Sequence, residues 1–204
     1  MHHPCGVGRV MVAPLERRAP FPDPAESPMP ADLRYPVGKF ARPATLTPEQ
    51  RAQAIDDIAS LPAKMRAAVN GLTPRQLDTP YRPEGWTVRQ VVHHVPDSHL
   101  NAYTRFKLAV TEDEPTIRPY DEARWATLEE ARTAPPEVSL LLLDALHQRW
   151  TLFLNTLEPA HFARRLVHPE DGPMTVDMLL AMYSWHSRHH LAHITNLRER
   201  MGWV

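Results

Sequence analysis

Apolar residues recur at steps of three and four in four long stretches of the chain, the spacing of one buried face on an α-helix. The first stretch begins at Thr47–Pro–Glu–Gln50, which combines an N-cap, a proline at the first helical position and a capping-box glutamine. Ile55, Ile58, Leu61, Met65 and Val69 keep one face as far as Asn70, and Gly71 supplies a stop. Pro62 lies inside this run and predicts a kink or a division. Thr73–Pro–Arg–Gln76 opens a short further turn. After Gly85–Trp86, Thr87 caps a second helix reaching about Val110, with Val88, Val92, Val95, Tyr103 and Phe106 as its apolar positions. Pro96 frees the carbonyl of Val92 there, but the pattern resumes in phase beyond it, so a local bend is expected rather than an end. The third helix spans Val138 to Leu157 and offers Leu141, Leu142, Ala145, Phe153 and Leu154 to a core. His147 and Trp150 sit near that stripe, as packing residues. The fourth starts at Thr175, carries Asp177 where the N-terminal dipole favours a carboxylate, and ends at Gly202.

Four long helices with few strand signals predict an all-α fold, a four-helix bundle. The connection from Thr111 to Pro136, with Arg118–Pro–Tyr–Asp121 and Trp125, is long enough to carry small elements or function. A shorter one runs from Glu158 to Pro173. Ten of the 22 prolines fall in the first 48 residues, and Met1 to about Ala31 lacks a periodic apolar face. This predicts a disordered Pro-rich tail over residues 1–34, then Tyr35–Pro–Val–Gly–Lys39 as an extended lead-in to a domain over 35–204.

With 204 residues and a net charge of −1, the chain suits one domain and carries no basic field to recruit nucleic acid or an anionic membrane. Its one cysteine, Cys5, cannot form an intrachain disulfide. No apolar run approaches the ~20 residues of a membrane span, and Val10–Ala13 is too short for a signal-peptide core. A cytoplasmic protein with a small-molecule substrate is the expectation.

Histidine changes that picture. Four of the twelve lie in Trp185–His–Ser–Arg–His–His–Leu–Ala–His193, where His186 and His190 stand four apart, as do His189 and His193. On a helix each pair projects from one face, one turn apart, a spacing that chelates one metal ion. The first pair also belongs to the apolar stripe Leu179, Tyr183, His186, His190, Ile194, Leu197 and Met201. Unpartnered ring nitrogens are costly there, and a metal would partner them; ordinary hydrogen bonding of core histidines is the competing account. Ser187 stands where a His-Glu-x-x-His motif needs its glutamate, so a third ligand must come from elsewhere. On the second helix, Gln90, His94, Asp97, Ser98, Asn101 and Arg105 form a polar row without lysine, more like a site lining than a solvated face. His94 heads the choice of third ligand; His93 and His99 compete, and spacing barely ranks them.

Trp86–Thr–Val–Arg–Gln–Val–Val–His–His94, Asp97–Ser–His99, Arg105–Phe–Lys107, Thr116–Ile–Arg–Pro–Tyr–Asp121, Trp185–His186, His189–His190, Ala192–His–Ile194 and Arg200–Met–Gly–Trp203 together resemble the DinB/YfiT-like superfamily, and within it the YfiT branch. The likeness runs from about Tyr35 to Trp203, with Pro96 standing where a small helix former is expected. It implies an up-down-down-up four-helix bundle, a homodimer, and one zinc or nickel ion on three histidines, which by motif position are His94, His186 and His190. Members of the branch are described as metal-dependent hydrolases; the wider superfamily includes thiol S-transferases that use bacillithiol or mycothiol. A hydrolase is therefore expected first, a thiol transferase second, and a non-enzymatic metal-stabilised binding or stress-response protein third. Three neutral imidazoles leave a divalent ion its charge and an open position. Such an ion lowers the pKa of a coordinated water towards ~7 or holds a thiol as thiolate. Asp97, one turn beyond His94, is the candidate proton carrier, with Ser98, Asn101 and Arg105 as candidates to position substrate.

Overall fold

Threonines set the starts of three of the four long helices. In the computed structural model, which describes residues 32–203, Thr47 opens α1 (Pro48–Val69) with both bonds of a capping box. Thr73 does the same for the single turn α2 (Pro74–Leu77), and Thr87 for α3 (Val88–Thr111). The long connection then carries α4 (Glu122–Trp125) and α5 (Glu129–Thr133) before α6 (Pro136–Asn155). A turn, α7 (Pro159–Phe162), precedes the strands β1 (Arg165–His168) and β2 (Gly172–Thr175). Thr175 finally caps α8 (Val176–Met201), which closes on Gly202 at φ 62°, the left-handed conformation that glycine adopts without strain. The expected tail lies outside the described residues, apart from 32–34. No helix among those residues is long and apolar enough to cross a membrane.

Neither interior proline divides its helix: Pro62 sits within α1 and Pro96 within α3. Each lacks the N–H that would bond the carbonyl four residues back, which leaves Ile58 and Val92 without their helical donor.

Cross-helix contacts fix the directions. Arg51 pairs with Asp177 near the starts of α1 and α8, Ser184 bonds Asp57 further along, and Arg198 bonds the Ala68 carbonyl near the ends, so α1 and α8 are parallel. His93–Ser139 and His99–His147 order α3 and α6 the same way. Arg66–Glu137 sets α1 against α6, and the approach of His94 to His186 with His99 against Tyr183 sets α3 against α8. The path is up-down-down-up, a four-helix bundle. Because α3 and α6 are parallel neighbours, the chain between them must return along the bundle, which accounts for the length of that connection.

The core has two apolar clusters. Phe106, Trp150, Leu154, Leu179 and Tyr183 belong to one; Leu61, Met65, Val91, Val95, Leu143, Ile194 and Leu197 belong to the other. Along α3, α6 and α8 the stretches between these sets carry histidines: His99, His147, and His186 with His190. Imidazole thus occupies the middle of the bundle, where every ring nitrogen needs a partner.

Three expectations change. On α6 the buried stripe is Leu140, Leu143, His147, Trp150 and Leu154, whereas Leu141 and Leu142 are 56% and 45% exposed and Ala145 also faces outward. Four consecutive leucines make either stripe apolar, so periodicity alone cannot choose. The connection after α7 is a hairpin, β1 pairing antiparallel with β2 so that Leu166 and Met174 face each other and are both buried. Strands of four residues are too short to register as alternation. The lead-in around Tyr35 is not extended but makes two successive turns, closed by Tyr35 N–H to Asp32 and Gly38 N–H to Tyr35.

Candidate metal centre

Where α3 crosses the antiparallel α8, His94 meets His186 and His190. The Nε2 atoms of His94 and His186 stand 3.3 Å apart, and one nitrogen from each of the three rings lies within 4.8 Å of the others. Bare imidazole lone pairs so close repel unless a proton or a cation lies between them. A neutral ring can place its one N–H between them, but burial works against any further proton. It pushes His94 down to about 4, with His189 adding to the effect, and holds His186 and His190 well below the ordinary histidine range. Three neutral, converging nitrogen donors suit a divalent transition metal.

A second group overlaps the first. His189, His190 and His193 also offer nitrogens within 4.8 Å of one another, and the Nδ1 atoms of all three are buried without a partner. These rings are clamped by aromatic stacking, His193 on Tyr81 at 3.8 Å and His189 on Trp185 at 4.4 Å between centroids. All three stand on one helix, whereas the first triad draws its donors from two.

The competitors of His94 point elsewhere. His93 places Nδ1 2.7 Å from the Ser139 hydroxyl and Nε2 3.1 Å from the Ala134 carbonyl, both away from α8. His99 is fully buried behind His186, its Nε2 2.9 Å from His186 Nδ1.

A cavity of about 530 Å³ opens over both histidine groups, within the range of small-molecule sites. Tyr35, Tyr81, Trp86, Tyr120 and Trp185 give it aromatic walls, and Arg34 and Arg82 add positive charge opposite Glu84 and Glu122. Trp86, in the turn before α3, lies 4.6 Å from the His94 ring, and Trp185 is held by its indole N–H to the Gly38 carbonyl at 3.0 Å. Of the polar row on α3, His94 and Ser98 reach the wall, Ser98 with Oγ 3.4 Å from His186 Nε2. Tyr120 joins from the connection after α3, its phenol pushed well up by burial and so held protonated. Asp97 does not line the cavity; its carboxyl is raised to about 6, chiefly by burial and further by Glu130. Asn101 donates back to the Asp97 carbonyl and Arg105 reaches the Arg118 carbonyl, both outside the wall.

The molecule is thus a four-helix bundle with a histidine triad that could hold a metal ion beneath an open cavity. The chain belongs to the DinB superfamily, which its sequence matches over residues 57–194. A protein of Bacillus mycoides, named "putative metal-dependent hydrolase", is 52% identical over 172 residues, covering 84% of this chain and 99% of that relative. YfiT of Bacillus subtilis carries the same description and is 50% identical over 173 residues, covering 84% and 97%. The solved structure of YfiT superposes with a TM-score of 0.82 at 50% identity, covering 84% of this chain and 99% of the other. It is described as a probable metal-dependent hydrolase with an unusual four-helix bundle topology.

Proposed function

We propose that the chain is a metal-dependent hydrolase in which His94, His186 and His190 hold one divalent ion, zinc before nickel. The observation that carries this reading is the convergence of three neutral imidazole nitrogens, two from buried rings and one from a half-buried ring, beneath an open cavity. The ion, when bound, supplies the Lewis acidity that makes water a nucleophile near neutral pH. The chain supplies the rest. Ser98 presents a hydroxyl beside the ligand nitrogens, and Tyr120, kept protonated by burial, offers a hydrogen-bond donor to a polar substrate group. The aromatic walls exclude water and hold the apolar body of a small molecule, while Arg34 and Arg82 favour an anionic end. Asp97 stands outside the cavity wall. A homodimer in the cytoplasm completes the proposal.

Metal content of purified single variants tests the ligands. Each of His94→Ala, His186→Ala and His190→Ala should lose the ion while circular dichroism still shows a helical fold; His93→Ala should keep it. Full occupancy in both His186→Ala and His190→Ala ends the three-histidine reading. Turnover then tests the reaction, on a panel of esters, amides and phosphoesters with and without a low-molecular-weight thiol. Thiol-independent hydrolysis supports the hydrolase; turnover only with thiol replaces it by the S-transferase.

A further inference from the structure

His186 Nδ1 lies 2.9 Å from Nε2 of His99, His99 Nδ1 lies 2.8 Å from Nε2 of His147, and His147 Nδ1 lies 2.6 Å from the carbonyl oxygen of Ile58. Three imidazoles from α8, α3 and α6 are thus strung to a backbone carbonyl of α1. That carbonyl is available because Pro62, four residues on, has no N–H to occupy it. The interior proline of α1 therefore creates an acceptor in the middle of the bundle, and His147 uses it.

A carbonyl only accepts. His147 must carry its proton on Nδ1, and as a neutral ring it then has a bare Nε2. His99 must donate to that nitrogen from Nδ1, which leaves its own Nε2 bare. His186 in turn must donate from Nδ1, which leaves its lone pair on Nε2, the nitrogen that faces His94. His99 and His147 are 0% and 1% exposed and neither ring is hydrogen-bonded to a carboxylate, so burial keeps an extra proton off the chain.

We propose that His147 and His99 are positioning residues that lock His186 in the Nδ1–H tautomer, so that its Nε2 is presented ready to bind the ion. This rests on the metal-site reading above for its purpose but not for its geometry. The neighbouring ligand His190 has no such support, its Nδ1 being buried without a partner. The string ends on an acceptor that cannot pass a proton onward, which makes it an anchor rather than a proton path.

The test uses the full chain with ¹⁵N-labelled histidine, in zinc-loaded and chelator-treated forms, and reads the tautomers by long-range ¹H–¹⁵N correlation. His147, His99 and His186 should each carry the proton on Nδ1 in the metal-free form. A proton on His186 Nε2 overturns the proposal. Zinc affinity from chelator competition gives the second readout. His147→Leu should weaken it by about 10–100-fold, as loss of a partner behind a ligand does. His147→Gln should restore it to within a few-fold, because one amide can donate to Ile58 and accept from His99. Wild-type affinity in a folded His147→Leu, or equal loss in both variants, counts against the lock. If His147→Leu does not fold, the wild-type tautomers and His147→Gln still decide. If the tautomers are as stated but the wild type holds no zinc, the lock stands and the metal reading falls.

Discussion

Asp97 lies on the polar row of α3 but outside the cavity wall. Its carboxyl is held up at about 6, mainly by burial and then by Glu130, against an ordinary value of 3.8. Between those values the folded chain binds a proton that the unfolded chain has released, so ionisation above pH 6 works against the fold. Asp97→Asn should therefore raise the melting temperature at pH 7, by about 2–4 °C if the relief is near 1 kcal/mol. The gain should shrink as pH falls through 6 and vanish near 4. Turnover should survive, because the carboxyl does not line the cavity; abolished turnover with intact metal content would return Asp97 to the proton-carrying role first expected of it. Ser98, one residue on, is the contrast. Ser98→Ala should raise KM or lower kcat while the protein keeps its helical content and its metal.

At the scale of the helices, a single carboxylate pins two of them. Asp177, 2% exposed in the first turn of α8, accepts from both Nε and a terminal nitrogen of Arg51 on α1 at 2.7 Å, and from the Leu46 N–H at 3.1 Å. It also lies at the helix N-terminus, where the backbone dipole favours negative charge. Asp177→Ala leaves the guanidinium of Arg51 and the Leu46 N–H without their acceptor. Since Arg51 keeps 20% exposure, the cost should sit at the low end for a broken buried pair, about 3 kcal/mol. A melting temperature lower by about 6–12 °C follows. Chemical denaturation giving less than about 1 kcal/mol would mean that the Ser184–Asp57 and Arg198–Ala68 bonds and the apolar faces hold α1 and α8 parallel without Asp177.

For the molecule as a whole, the buried histidines make acid the main threat in the metal-free state. Burial is the first cause of depression in each: His94, His147 and His189 fall to about 4 and His193 to about 3, from 6.5. Below pH 6.5 the unfolded chain binds protons that the fold refuses, so stability is lost progressively as pH falls towards 4. Asp97 acts in the opposite sense but is one group against four. Chelator-treated protein should show a steep fall in melting temperature from pH 6.5 to 4. A flat profile over that window would show that these rings are hydrated or charged in the fold. Ion bound only to the native state adds stability by mass action, so at pH 7 the zinc-loaded protein should melt above the chelated one.

What could be read along the chain was what is local. Thr47, Thr73, Thr87 and Thr175 cap through bonds to residues three positions away, and Gly202 closes α8 through its own φ, so most helix bounds were legible to within about a residue. The pairing of His186 with His190 was legible for the same reason, being set by the helical repeat. Which histidine of α3 completes the triad was ranked by row and motif, and its direction in space depends on how α3 rolls against α6 and α8. That roll turns His93 to Ser139 and His94 to His186. The buried face of α6 differs from the expected one, because four successive leucines satisfy two stripes and only the neighbouring helices distinguish them. The tertiary structure alone joined His99 and His147, 48 residues apart, to a carbonyl that Pro62 had freed on a third helix. A proline's missing N–H is visible in one residue, but the donor that answers it comes from a helix whose position no local rule specifies.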